Sequence, residues 1–364
     1  MGKMELKMKI KKENKMKYGK MNKILLFSVV LALLSMSVVV YAGDATRVGT
    51  AGGTQLQIPV GGRNIGMAGA DLVFTKSLDA VYWNPAGLGD LPLRGAGLFS
   101  MENYIADINI SYLALGFNIS KFGALGVSVK SFDFGDIPIT TVEQMDGTGS
   151  NYSPTYNVFG LTFARHFTDR INFGVTGKIV YENIPRASAS AYAFDLGIQY
   201  KDLLSIKGLG IGITMKNIGT NMEYKGTALM SDSRQSGETY DQFLYRPVSS
   251  DQLPSSLELG LGYKAALGFG NVLASGTFQH NNFENDQLRF GGEVKMFDLA
   301  LVRVGYIATL EDPDNKGIGK NAYGLSLGGG IVYNIGGIGL VFDYAYRPAG
   351  DFGNNNIFAL EFGF

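Results

Sequence analysis

Ile171 to Glu182 reads INFGVTGKIVYE. Ile171, Phe173, Val175, Ile179 and Tyr181 fall on every second position, with Gly177 among them. Asn172, Gly174, Thr176, Lys178 and Glu182 fall between them, with Val180 as the exception. Successive side chains of a strand point to opposite sides, so this run has one apolar face and one polar, charged face. It outlasts the usual ~5–6 residues of a soluble strand and is long enough to cross a bilayer at a tilt.

Working outward, the same alternation recurs in Leu288, Phe290, Val294 and Met296 against Arg289, Glu293 and Lys295. It recurs again in Ile338, Leu340, Phe342, Tyr344 and Tyr346 against Gly339, Asp343, Ala345 and Arg347. Fourteen such runs lie near 94–103, 107–119, 122–133, 155–167, 170–184, 188–202, 207–218, 255–267, 270–281, 286–297, 299–310, 321–335, 337–347 and 356–364. The connections segregate by parity. Odd ones include the long polar stretches 134–154, 219–254, 311–320 and 348–355, whereas even ones are tight, Leu203 to Ile206 excepted. Long loops at one end and short turns at the other predict an all-β, ~14-stranded antiparallel transmembrane barrel. Even strand parity puts both chain ends on the short-turn, periplasmic side. Phe173 and Tyr181, Tyr192 and Tyr200, and Tyr323 and Tyr333 are spaced to mark the two membrane interfaces.

Composition agrees. Hydrophobic content is 46%, too little for a bundle of membrane helices, while a barrel needs apolar residues only on its lipid face. Glycine is abundant at 50 of 364 residues, which suits curved, closely approached strands. Cysteine is absent, which excludes disulfides, thiolate nucleophiles and cysteine metal sites.

The N-terminus reads as a targeting segment. Nine lysines lie between Lys3 and Lys23, an apolar run covers Ile24 to Val40, and Val40-Tyr41-Ala42 fits a small-residue cleavage site. A retained membrane anchor is the competing reading, and Met16 or Met21 is an alternative start. Removing nine lysines and two glutamates from 32 basic and 32 acidic residues leaves 23 against 30. That net negative charge argues against nucleic acid as a partner. The expected domains are a signal peptide over 1–42, an N-terminal plug over 43–93 and the barrel over 94–364.

The stretch Gly61 to Leu88, GGRNIGMAGADLVFTKSLDAVYWNPAGL, breaks the alternation. It carries small residues, a buried-looking strand over Asp71 to Phe74, and two helical turns. Ser77 is the expected cap of the first turn, Asn84 the cap of the second with Pro85 at its first position, and Gly87 its left-handed end. A compact, irregular segment before a strand series is a candidate plug. The residues Gly62, Arg63, Gly66, Met67, Gly69, Ala70, Asp79, Ala80, Asn84, Pro85, Ala86 and Gly87 resemble the N-terminal region of the PorV/PorQ family, itself similar to the FadL fatty-acid channel superfamily. The resemblance covers about 28 residues. It implies an outer-membrane barrel with a segment folded into its lumen, and a role either in docking proteins of the type IX secretion route or in passing hydrophobic small molecules. A structural barrel is the third possibility. Phe364, ending a run of alternating aromatics, resembles the signal read by the barrel assembly machinery, so that machinery and outer-membrane lipid are the expected partners.

Enzyme chemistry is thin. His166 and His280 belong to opposite membrane sides and form no common metal site. No metal, cofactor or catalytic residue is expected. Glu258, Glu293, Asp343 and Glu361 alternate inward with Lys178, Lys216, Lys264, Arg289, Lys295, Arg303 and Arg347, which reads as an ion-pair lattice gripping the plug. Gly328-Gly329-Gly330 lacks the context of a nucleotide fingerprint and reads as lumen wall. In the connection 219–254, Met222, Tyr224, Leu229, Met230, Tyr240, Phe243, Leu244 and Tyr245 are too apolar for a solvated loop. They mark a candidate external ligand or partner site, with self-packing over the barrel mouth as the competing reading.

Overall fold

The computed structural model describes residues 47–92, 94–233, 242–310 and 322–363. The expected signal peptide, Tyr240 and Phe364 lie outside these. Fourteen strands close into one antiparallel barrel. They are β1 Gly95–Asn103, β2 Asn109–Asn118, β3 Ala124–Asp133, β4 Thr155–His166, β5 Ile171–Ile184, β6 Ala187–Lys201 and β7 Leu209–Gly219. The second half is β8 Ser256–Leu267, β9 Gly270–Asn281, β10 Gln287–Met296, β11 Ala300–Thr309, β12 Leu325–Ile335, β13 Ile338–Pro348 and β14 Asn354–Gly363. Each pairs with its sequence neighbours, and β1 closes on β14.

The facing follows the alternation. Phe99, Leu113, Val127, Phe159, Ile179, Phe194, Val304 and Phe342 point outward and are 43–56% exposed. Lys130, Thr162, Lys178, Asp195, Arg303 and Asp343 point inward and are buried. Apolar outside and polar inside is the inverse of a soluble protein and fits a wall facing lipid. Val180, the exception in its run, packs inside against Leu56, Ala191 and Met222. Gly97 lies under the outward ring of Phe362, which covers the bare backbone. One irregularity interrupts the ladder. Between β6 and β7 the register shifts at Phe194/Leu196, with Asn217 at φ +58 and its N–H donating to Asp195 Oδ1 at 2.9 Å.

The expected interface pair Tyr323 and Tyr333 is not a pair. β12 starts at Leu325, and Tyr323 instead turns inward under the Arg347 guanidinium, 3.8 Å from its ring centre. The long connections add two small hairpins, Ile137–Pro138 with Asn151–Tyr152 and Met230–Ser233 with Gln242–Tyr245. Short turns use the positive φ that tight hairpins need, as at Gly336 (φ 57) and Gly337 (φ 87).

A barrel of this width is not filled by its own side chains. The segment before β1 fills it. It contains a 3-10 turn Thr54–Leu56, helix α1 Gly62–Gly66, a 3-10 turn Ser77–Asp79 running into helix α2 Ala80–Trp83, and a 3-10 stretch Pro85–Asp90. Asp71 to Val73 is buried and Phe74 half-buried, but the stretch is a bend rather than the expected strand, with Asp71 Oδ1 accepting the Phe74 N–H at 2.8 Å. The segment runs through the lumen from end to end. Arg47 hydrogen-bonds Gln252 and Asn282 at the long-loop end, and Asp90 pairs with Lys201 and His166 beside the short turns. Arg47, the first described residue, thus lies at the long-loop end and Gly363 at the short-turn end. The chain descends through the lumen before entering β1.

Candidate functional site

The plug seats on glycines of the wall. A Cβ at Gly174 would lie 2.3 Å from the Pro85 carbonyl carbon, and one at Gly197 would lie 2.2 Å from Asn84 Oδ1. At Gly305 it would meet the Met67 carbonyl carbon at 2.2 Å, and at Gly212 the Leu72 carbonyl oxygen at 2.6 Å. Only hydrogen on the wall lets plug backbone come this close. Gly328 meets Gly66 in the same way and Gly330 faces Asp343 and Arg303, so these two face the lumen, while Gly329 between them does not.

The plug's irregular backbone is satisfied by inward side chains. Asn84 Nδ2 donates to Leu72 O at 2.8 Å and Ile198 O at 3.2 Å, while its Oδ1 accepts the Ala86 N–H at 3.2 Å. Asn84 is thus the cap that its position before Pro85 predicts. Gln199 Nε2 donates to Leu72 O and Thr75 O at 3.0 and 2.8 Å, and Thr277 Oγ1 to Ala70 O at 2.8 Å. Where the carbonyl is buried, each such bond removes the penalty of leaving it unpaired.

The ion-pair lattice forms as expected. Arg303 joins Glu293 at 2.7 Å and Asp343 at 2.6 Å, and plug Arg63 reaches the same Glu293 at 3.2 Å while pairing with Asp71 at 2.8 Å. Lys178–Asp195, Lys216–Glu258 and Arg347–Glu102 continue it around the wall. Lys264 is exposed and Lys295 pairs with turn residue Asp298, so both stand outside the lattice.

Two caps differ from expectation. Ser77 has φ +57, makes no cap, and donates its hydroxyl to Glu361 on β14. Gly87 does not adopt a left-handed end; it lies inside Pro85–Asp90, where a Cβ would fall 2.2 Å from Thr75 O. Both roles came from local turn chemistry, and the tertiary contact takes precedence. The other motif residues, Gly62, Gly66, Met67, Gly69, Asp79 and Ala86, are all buried in the lumen.

Above the plug, residues 47–60 form a strap under the long loops. Lys130 Nζ donates to Gln55 O at 2.6 Å and Ile58 O at 2.7 Å, and the Tyr82 hydroxyl lies 3.0 Å from Ile58 O. Arg47 stacks over Phe283 at 4.2 Å. Beneath and beside the strap is a cavity of about 590 Å³. Its apolar lining includes Leu56, Ile58, Ile65, Trp83, Phe283 and Ile307, and its polar lining includes Lys216, Glu258, Gln279, Gln287, Arg289 and Arg347. Glu284, on the connection at its rim, is pushed up in pKa by burial, with Arg289 opposing. Tyr82 and Trp83 of the plug sit edge to face, 5.2 Å apart, with Lys216 within 5.2 Å of both rings.

The apolar loop residues do not form one site. Met222 is buried against Leu56, Val180 and Leu253, and Tyr224 donates to Glu182, so these two pack over the lumen. Met230, Phe243, Leu244 and Tyr245 stay exposed on the small hairpin, with Leu229 half-buried beside it. His166 and His280 lie at opposite barrel ends, and no metal-holding cluster occurs among the described residues. Sequence reasoning missed the cavity lining. Gln279, Gln287 and Trp83 come from strands and plug far apart in the chain, and only closure brings them together.

No protein-family model matches the chain, and no curated protein matches it. Solved structures do. The fold is similar to that of two toluene transporters. TodX of Pseudomonas putida is 11% identical, covering 84% of this chain and 97% of its own at a TM-score of 0.51. TbuX of Ralstonia pickettii is 13% identical, covering 84% and 98%, also at 0.51. The barrel fold is thus matched.

Proposed function

We propose that this protein is an outer-membrane channel for small hydrophobic or amphipathic molecules, with the plug controlling passage. The cavity carries the reading. Its volume of about 590 Å³ lies in the range of small-molecule sites, ~300–1,000 Å³, and half its lining is apolar or aromatic. The likeness in fold to toluene transporters supports the same class of cargo. The plug closes the route beneath, so passage requires the segment to shift against its glycine seats. Secretion docking, the other role implied by the PorV/PorQ resemblance, gains no support from these neighbours and is not taken further.

Cells whose outer membrane lacks other hydrophobic-solute channels provide the test. Expression of the protein should speed uptake of a labelled small aromatic or aliphatic solute several-fold. Unchanged uptake by correctly inserted, heat-modifiable protein would overturn the proposal.

A further inference from the structure

The cavity is not the greasy pocket that a pure hydrocarbon requires. On its wall, Glu258 of β8 stands directly opposite Gln279 of β9, and Gln279 directly opposite Gln287 of β10. All three face the lumen and are buried, Glu258 at 2% and Gln279 at 8% exposure. Glu258 Oε1 takes Lys216 Nζ at 3.1 Å, while Glu258 Oε2 has no hydrogen-bond partner among the described residues. Gln279 Oε1 is likewise without one.

The orientation of Gln279 follows from its neighbours. Asn281 Nδ2 donates to Asn285 O at 3.0 Å, which leaves Asn281 Oδ1 as an acceptor. Gln279 must therefore give its Nε2 to that oxygen, as it does at 2.7 Å, and its own Oε1 is left over. Gln287 Oε1 is spent on Arg289, at 3.2 Å from Nε and 3.0 Å from Nη2. Two buried acceptors thus remain on neighbouring residues that line the cavity together with Trp83 and Ile65 of the plug.

We infer that the cavity takes uncharged amphipathic molecules carrying a hydroxyl, whose one proton is shared between the acceptors of Glu258 and Gln279 while the apolar body rests against Trp83 and Ile65. This rests on the channel reading and names its cargo class. A hydrocarbon leaves both acceptors stripped of water and unpaired. A carboxylate brings negative charge to the unpaired oxygen of Glu258. A cation meets Lys216, Arg289 and Arg347, which outnumber Glu258 and Glu284 in the lining.

Trp83 is the only tryptophan in the chain, so its emission, excited at the red edge, reports binding directly. The protein in lipid nanodiscs is titrated with 4-propylphenol, 4-propylanisole, propylbenzene and 4-propylbenzoate. The phenol should bind at least about tenfold more tightly than both the anisole, in which a methyl group replaces the donor proton, and the smaller propylbenzene, which lacks the oxygen. Gln279→Met should remove most of that preference and leave propylbenzene affinity unchanged. The wild-type comparison stands without the variant should the latter fail to fold. Equal binding of phenol and anisole, or tighter binding of propylbenzene or benzoate, overturns the inference and leaves the channel reading in place. Failure of all four to bind, together with unchanged solute uptake in cells, overturns both.

Discussion

The two parts of the lumen segment are held in different ways. Residues 61–91 are docked backbone to backbone. Met67, Leu72, Leu78, Ala86 and Leu88 are fully buried, wall glycines receive their main chain, and Arg63 is tied into the Arg303 lattice. The strap, residues 47–60, has wall on one side and the cavity on the other. Lys130 from the wall, the strap's own Arg47 and one backbone bond, Gly52 N–H to Gln252 O at 2.9 Å, hold it, and both side-chain polar atoms of Gln55 are buried without a partner among the described residues. Contact through glycine has no slack, because moving the plug leaves a void and unpaired carbonyls together. Contact through Arg47 and Lys130 is adjustable, since their stems flex. The difference sets a tightly seated plug below against a more adjustable strap above.

The largest test of the fixed part is Arg303→Met. Arg303 is 2% exposed and neutralises Glu293 and Asp343. Its loss leaves buried carboxylates short of a partner, and removing one member of a buried pair costs ~3–5 kcal/mol. Urea unfolding followed by gel mobility reads the effect, and an unchanged midpoint would show that the lattice does not anchor the plug. Phe342→Arg tests the wall that both parts lean on. Facing lipid at 46% exposure, it should cost ~2–4 kcal/mol near the bilayer midplane, against under ~1 for Val341→Thr on the lumen side. Equal costs would reverse the facing assignment.

Asn84→Ala separates stopper from wall. It deletes the hydrogen bonds to Leu72, Ile198 and Ala86 and should cost ~1–3 kcal/mol. Conductance in planar bilayers should rise or become noisier while heat-modifiability persists; quiet, unchanged conductance would mean the plug does not gate. Arg47→Ala should have the smallest effect on stability, under ~1 kcal/mol, because its contacts to Gln252 are exposed. Acrylamide quenching of Trp83 should nonetheless increase. If it does not, the strap is no cover and the contrast between the two parts fails.

The exposed hairpin residues Met230, Phe243, Leu244 and Tyr245 illustrate where pattern reading stops. Their apolarity is visible in the chain, but it took the fold to separate them from Met222 and Tyr224, which share the same connection and point into the lumen. Ser77 and Gly87 teach the same at smaller scale. Each fits a helix-end rule, and each is used instead in a tertiary contact, Ser77 with Glu361 of the wall and Gly87 under the Thr75 carbonyl of the plug itself.

Period-two alternation by itself determined the wall: the strand number, the turn parity and which residues meet lipid. It does so because side-chain facing in a strand is a local property, and a one-residue slip would put every charge into hydrocarbon. The lattice charges were legible for the same reason, as inward positions of those strands. Charge sign also shows in the chain, but pairing does not. Tertiary structure alone decided that Arg63 shares Glu293 with Arg303, that wall glycines pack against plug backbone, and that the segment enters from the long-loop end. It alone set Glu258 beside Gln279 with an acceptor left on each. Those relations join residues far apart in the chain, and their energies exist only once barrel closure has removed the water between them.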